Sequence, residues 1–191
     1  MTKNILLVGV GGQGTILASK LLTLGLMQSG VDVKMSEIHG MSQRGGSVVS
    51  HIRYSDDKVY SSVVEKGSAD ILVAFEKMEA LRYLDYLRKG AKVVVNDYEI
   101  PSMPIYSGLV EYPKGIIECL QRNADVVVIK ANDEASTLGN AKAMNMVMLG
   151  TIIKLMNLEH IDWDSIIEQN VKPAYVQLNK QALARGMQLA E

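Results

Sequence analysis

Unbroken apolar runs alternate along this chain with segments whose apolar residues recur at helical spacing, an alternation that predicts an α/β fold around a central sheet. Residues 5–8 (Ile-Leu-Leu-Val) read as a strand covered on both faces, because a half-exposed strand would carry a polar side chain at every second position. Ile16, Leu17, Ala18, Leu21, Leu22, Leu24 and Met27 then stripe a helix whose only charge is Lys20; most of it is expected to be buried, and Gly30 ends it. Residues 31–35 alternate as a second strand and complete a β-α-β unit with an expected right-handed crossover. Residues 47–53 alternate again, residues 54–58 read as a turn, and residues 59–64 are expected to return as the antiparallel partner. Residues 71–74, 93–95 and 126–129 are further apolar runs, hence expected buried central strands. The expected product is a three-layer, Rossmann-like α/β domain whose sheet is mostly parallel but mixed, with an antiparallel hairpin near residues 47–64.

The remaining segments predict the covering helices. Met78, Leu81, Leu84 and Leu87 stripe a helix whose outer face carries Glu76, Asp85, Arg88 and Lys89, with Asp85 set to pair with Lys89 and Gly90 set to cap the end. Pro101, Pro104 and Pro113 make residues 96–115 a loop with at most a short strand near Leu109 and Val110. Pro113 can start a helix containing Ile116, Ile117 and Leu120, with Cys119 expected in the core. A polar segment, residues 132–145, contains Asn140 and Asn145, which are either caps or site residues. Met146, Val147, Leu149, Ile152, Ile153 and Met156 then form a nearly uncharged helix whose methionines suit a core or a partner surface; core is the expectation. Asp162 caps a short helix bearing Trp163, Ile166 and Ile167, and Pro173 opens a final amphipathic helix.

Composition narrows the function classes. A length of 191 residues fits one domain, residues 1–191, able to bury a core without disulfides or a structural metal. With 20 Lys and Arg against 21 Asp and Glu, there is no general attraction to nucleic acid or to an anionic membrane. Cys119 is the only cysteine, so the chain holds no internal disulfide and cannot ligate an iron–sulfur cluster with four thiolates of its own. A reducing, cytoplasmic setting is expected, and with no long apolar span and a strand beginning almost at once, so is a soluble, unprocessed protein.

The candidate chemistry sits at two loops. Gly9-Val10-Gly11-Gly12-Gln13-Gly14 follows the first strand and opens the first helix, and Gly9, Gly11 and Gly14 fit G-x-G-x-x-G. Such a turn aims backbone N–H groups and a helix N-terminus at an anion. Glycines also let a strand and helix pack closely with no ligand, and Gln13 can either reach a ligand or tie the loop down. The second loop, Ser36-Glu37-Ile38-His39-Gly40-Met41-Ser42-Gln43-Arg44-Gly45-Gly46, follows the second strand. Its Arg44, between Ser42-Gln43 and Gly45-Gly46, is a surface turn arginine or a guanidinium offered to a carboxylate or phosphate; the ligand reading is the expectation. Glu37 lies 23 positions past Gly14, near the place of the ribose-binding acid of nicotinamide-dependent enzymes, which leaves an NAD(P)-binding oxidoreductase as an alternative. A non-catalytic binding module is the other. His39, His51 and His160 lack metal-ligand spacing, and neither a G-x-S-x-G elbow nor a P-loop Lys-Ser/Thr is present.

Together the two loops resemble the gamma domain of 2-oxoacid:ferredoxin oxidoreductases, most of all the small (beta) subunits of the indolepyruvate-oxidising members. Leu138-Gly139-Asn140 leading into Asn145-Met146, and the C-terminal helices, extend the resemblance over nearly the whole chain. It implies an assembly that oxidatively decarboxylates an aryl-2-oxoacid such as indolepyruvate to an acyl-CoA, with ferredoxin as electron acceptor and CoA as co-substrate. The family's Gly-Asp-Gly thiamine motif is absent here. The resemblance therefore implies that thiamine diphosphate, Mg and the iron–sulfur clusters sit on a larger partner subunit. Gly9, Gly11, Gly12, Gln13 and Gly14, with Ser42, Gln43, Arg44, Gly45 and Gly46, are the positions it marks as facing a cofactor. No catalytic residue and no metal ligand is assigned.

Overall fold

In the computed structural model, which describes residues 1–40 and 46–190, the apolar runs form one sheet. Its six strands among the described residues are β1 (Lys3–Val10), β2 (Asp32–His39), β3 (Ser47–Ser55), β4 (Ala69–Ala74), β5 (Leu87–Asn96) and β6 (Asp125–Ile129), in the order β2-β3-β1-β4-β5-β6. β1, β4, β5 and β6 are parallel neighbours, whereas β3 runs antiparallel to both β1 and β2. One reversed strand makes the sheet mixed.

Helices α1 (Thr15–Gln28), α2 (Lys77–Arg82), α3 (Met103–Tyr106), α4 (Ile116–Asn123), α5 (Ala131–Thr137), α6 (Met144–Leu155), α7 (Trp163–Asn170) and α8 (Val176–Gln188) complete the layers. Along β1, Ile5 and Leu7 enter a core closed by α1, α5, α6, α7 and α8, while Leu6 and Val8 enter a second core closed by α2 and α4. Covering on both faces is why no polar residue interrupts residues 5–8 of that strand. Every residue of α6 from Met144 to Ile153 is buried, so its methionines are core. α6 and α8 approach so closely that a Cβ on Gly150 would lie 2.0 Å from the Leu183 carbonyl oxygen, and one on Gly186 1.9 Å from that of Val147.

Several expectations need correction. Residues 59–64 form no strand, because β3 already spends both edges on β1 and β2; the antiparallel partners are those strands, and the hairpin expected near 47–64 does not exist. Side chains hold the segment instead: Val59 N–H donates to Asp32 Oδ2 (2.7 Å), Val64 N–H donates to His51 Nδ1 (3.2 Å), and Arg53 donates to the carbonyls of Ser61 and Val63. The helix expected through Leu87 stops at Arg82, and Leu87 already belongs to β5. Gly90, at φ +75°, lies where the β4–β5 register jumps from Ala69 opposite Leu87 to Ile71 opposite Lys92; its left-handed backbone serves a bulge rather than a helix cap. Asp85 pairs with Lys66 at 2.6 Å and not with Lys89, and Glu76, expected on an outer face, is fully buried. At 96–115 the short helix α3, with Pro104 in its first turn, replaces the strand near Leu109. Cys119 is half-buried on α4 rather than in the core, and β6 is an edge strand with Val128 exposed.

Candidate functional site

The glycine loop lies at the carboxyl end of β1, beside the carboxyl ends of β4 and β5, the position where open α/β sheets place ligands. Its glycines do different work. A Cβ on Gly9 would fall 2.8 Å from Thr15 Cγ2, 2.9 Å from Gln13 Oε1 and 3.1 Å from Phe75 Cβ, so this position is bare for packing. Gly12 has open space around it but φ +97°, and Gly14, at φ +76°, lets the chain turn into α1. No side chain caps the first turn of α1 and no acidic residue lies in it, which leaves the positive end of the helix available to an anion.

Amides brace this loop. Gln13 accepts from Val10 N–H through Oε1 (2.8 Å) and donates through Nε2 to the Phe75 carbonyl (2.7 Å), so its side chain ties β1 to the end of β4. Asn96, fully buried, donates to the same carbonyl (3.0 Å) and to Asn132 Oδ1 (2.8 Å), and accepts from Ala131 N–H (2.9 Å). The ends of β1, β4 and β5 and the start of α5 are thereby locked at one level. Gly11 N–H donates to the Gly46 carbonyl at 2.9 Å, which brings the two sequence loops together. Of the second loop's candidates only Gly46 is described; Ser42, Gln43, Arg44 and Gly45 lie outside the described residues.

A cleft of about 590 Å³ opens beside this loop, with Gly11, Gly12, Gln13 and Gly14 on one side and Tyr98, Ile100, Asn132 and Lys142 facing them. Sequence reasoning missed that opposite wall, which carries no local motif and is assembled from the ends of three separate segments. Two buried acids also escaped it. Glu76 accepts from Glu79 N–H (3.0 Å), from Ile100 N–H (3.2 Å) and from the Tyr112 hydroxyl, and so fastens the cleft's Tyr98–Ile100 wall to α2. Burial pushes the Tyr112 phenol well up, and the neighbouring Glu76 adds to the rise. Glu79 accepts from Ser47 Oγ (2.5 Å), at the residue that opens β3, and lies 3.2 Å from Arg82 Nε; burial raises its carboxyl above the ordinary range despite both partners.

Glu37 is not placed for a ribose. Its Oε1 accepts from Ser19 Oγ on α1 at 2.8 Å, and β3 stands between β2 and β1, so Glu37 is about 10 Å sideways from the strand that feeds the glycine loop. Among the described residues no group of three or more His, Cys, Asp or Glu is placed to hold a metal ion, and the single half-buried cysteine does not fit an iron–sulfur cluster. No described helix is long and apolar enough to cross a membrane.

The chain is similar to several known proteins. Residues 4–189 match the family model described as pyruvate ferredoxin/flavodoxin oxidoreductase. The chain is 36% identical to the indolepyruvate oxidoreductase subunit IorB of Pyrococcus horikoshii, over 98% of this chain and 96% of the relative. Its fold matches the gamma subunit of a keto/oxoacid ferredoxin oxidoreductase from Geobacter sulfurreducens, with a TM-score of 0.72, 22% identity and 98% of each chain covered. It also matches part of the 2-oxoglutarate:ferredoxin oxidoreductase of Magnetococcus marinus, solved with 2-oxoglutarate, coenzyme A and succinyl-CoA bound. There the TM-score is 0.78 at 19% identity, over 99% of this chain and 31% of that one.

Proposed function

The chain belongs to the pyruvate ferredoxin/flavodoxin oxidoreductase family, and on that premise we propose that it is the small subunit of a cytoplasmic indolepyruvate:ferredoxin oxidoreductase, folded as one gamma-type domain over residues 1–191. The reaction releases the 2-oxoacid carboxylate as carbon dioxide, transfers the acyl group to the CoA thiol and passes an electron pair to ferredoxin. Full-length similarity to a relative named for indolepyruvate carries the substrate assignment. Thiamine diphosphate, Mg and the iron–sulfur clusters belong to a larger partner subunit, since this chain has one cysteine and lacks the Gly-Asp-Gly motif.

This chain's contribution is the braced loop of Gly9 to Gly14, to which Gly46 is hydrogen bonded, together with the Ser42 to Gly46 sequence. The uncapped start of α1 and the Arg44 guanidinium suit the anionic groups of CoA or of a 2-oxoacid at the subunit junction. A dehydrogenase that grips ribose through Glu37 is disfavoured by the strand interposed between β2 and β1. Capture of the chain from its native source, followed by mass spectrometry, cofactor analysis and assay, tests the proposal. A larger subunit carrying thiamine diphosphate and iron–sulfur absorbance should accompany it, and the pair should reduce ferredoxin with indolepyruvate and CoA. Indolepyruvate oxidation by the homogeneous single chain would overturn it.

A further inference from the structure

A second cleft, of about 540 Å³, shares Lys142 with the first and is lined from α1, the entry to α6, the end of α7 and the start of α8. Four asparagines line it. Asn140 accepts through Oδ1 from Lys142 N–H (3.0 Å), whereas the other three amides are fixed the opposite way round. Asn145 donates through Nδ2 to the Gly14 carbonyl (3.3 Å), Asn170 to that of Ile166 (2.9 Å) and Asn179 to that of Tyr175 (2.7 Å). Each NH2 is turned to the backbone, and each Oδ1 is left without a partner among the described residues. Asn145 and Asn179 are only 5% and 8% exposed. Yet Ser50 Oγ is the one side-chain oxygen or nitrogen, among the described residues, that is both sealed from solvent and unpaired. The amide oxygens of Asn145 and Asn179 therefore reach open space, and the cleft that both side chains line is that space. Polar groups so deeply set are ordinarily hydrogen bonded, and these two oxygens can accept only from a group inside the cleft.

The rim has the opposite need. Lys142 and Lys172 are exposed, and neither has an ion-pair partner among the described residues. Leu17, Val171 and Leu178 supply an apolar wall beside the Tyr175 ring. We propose that this cleft binds a free α-amino acid with an apolar side chain. Its ammonium carries three N–H donors for the asparagine oxygens, its carboxylate pairs with a rim lysine, and its side chain lies along Leu178 and Tyr175. Both charged ends are required. An amine without a carboxylate meets two uncompensated ammonium groups, and a 2-oxoacid without the amine takes water from the asparagine oxygens and offers them no donor, a mismatch that hydrogen-bonding sites reject strongly. The cleft therefore distinguishes an amino acid from the 2-oxoacid of the same side chain.

Calorimetry and amide-resolved NMR on the full chain test this with L-phenylalanine, L-leucine, 3-phenylpropanoate, 2-phenylethylamine, phenylpyruvate and CoA as probes. At least one amino acid should bind and shift the amides of Leu17, Val171 and Leu178, with the compounds lacking either charged end at least about tenfold weaker. Lys142→Gln or Lys172→Gln should weaken binding by about tenfold or more while leaving the melting temperature unchanged. The proposal is overturned if neither amino acid shifts these amides at millimolar concentration, or if 3-phenylpropanoate binds as well as phenylalanine. It is equally overturned if CoA occupies these residues more tightly than any amino acid.

Discussion

Gly14→Ala probes the link between the glycine loop and α6. Gly14 sits at φ +76°, and a Cβ there would lie 2.6 Å from Asn145 Nδ2, 3.0 Å from its Cγ and 3.3 Å from its Cβ. The amide tip alone could swing away, but its stem is also close and the residue is 5% exposed, so the clash cannot be relieved by one rotation. Left-handed backbone costs an alanine about 1–2 kcal/mol and overpacking about 1–3 kcal/mol more, against a gain of about 0.4–1 kcal/mol from the stiffer unfolded chain. The net loss should be about 1–4.5 kcal/mol. Asn145→Ala removes one long hydrogen bond to a carbonyl that also accepts from Ala18 N–H, and should cost about 0.5–1.5 kcal/mol. In the double variant the two tighter contacts, to Nδ2 and Cγ, are gone and only the 3.3 Å approach to Cβ is left, so its destabilisation should fall short of the sum by about 1–3 kcal/mol. Urea midpoints at constant slope give each value. Simple additivity, or a Gly14→Ala protein as stable as the parent, would refute the reasoning.

Gly186→Ala should lower stability by about 2 kcal/mol or more in a thermal melt even though alanine gains about 1 kcal/mol of helix propensity, because the new methyl meets the Val147 carbonyl oxygen 1.9 Å away; an unchanged midpoint would show that α6 and α8 can part freely. Burial depresses the His51 imidazole below its ordinary value of 6.5, and its Nδ1 must be unprotonated to accept from Val64 N–H. The unfolded histidine therefore takes up a proton first: the stabilisation is full above about pH 6.5 and is lost as pH falls toward the depressed folded value. His51→Asn should flatten that stretch of a urea-stability profile, and an unaltered slope counts against this account. In the reconstituted complex, Arg44→Ala should lose a contact of about 1.5–3 kcal/mol, a roughly ten- to hundredfold drop in kcat/KM for CoA or the 2-oxoacid, with Arg44→Lys restoring only part. Unchanged kinetics for every substrate would remove Arg44 from the candidate site.

What was legible in the chain alone was what neighbouring residues decide among themselves. Ile5 to Val8, Ile71 to Ala74 and Val93 to Val95 announce strands because covering on both faces leaves no polar position, and Gly12 and Gly14 announce a turn because left-handed backbone is a local demand. Asp162 reads as a helix cap for the same reason, and its side chain does accept from Ser165 N–H. Partnership across the fold was not legible. Val59 and Val64 have the composition of a strand, but pairing needs a free edge, and β3 had given its edges to β1 and β2. Gly90 demanded a left-handed backbone without saying whether a helix end or a bulge would use it. Glu76 and Glu79 look like helix-surface charges until Tyr112, Ile100 and Ser47 arrive from distant segments to receive them. Gly150 and Gly186 carry no signal at all, since only the crossing of α6 and α8 forbids their side chains. The candidate site divides along the same line. The glycine loop is written in consecutive residues, whereas Tyr98, Lys142, Asn145 and Asn179 become neighbours of it, or of the cleft beside it, only when the sheet sets its strand ends level and the last helices close over them.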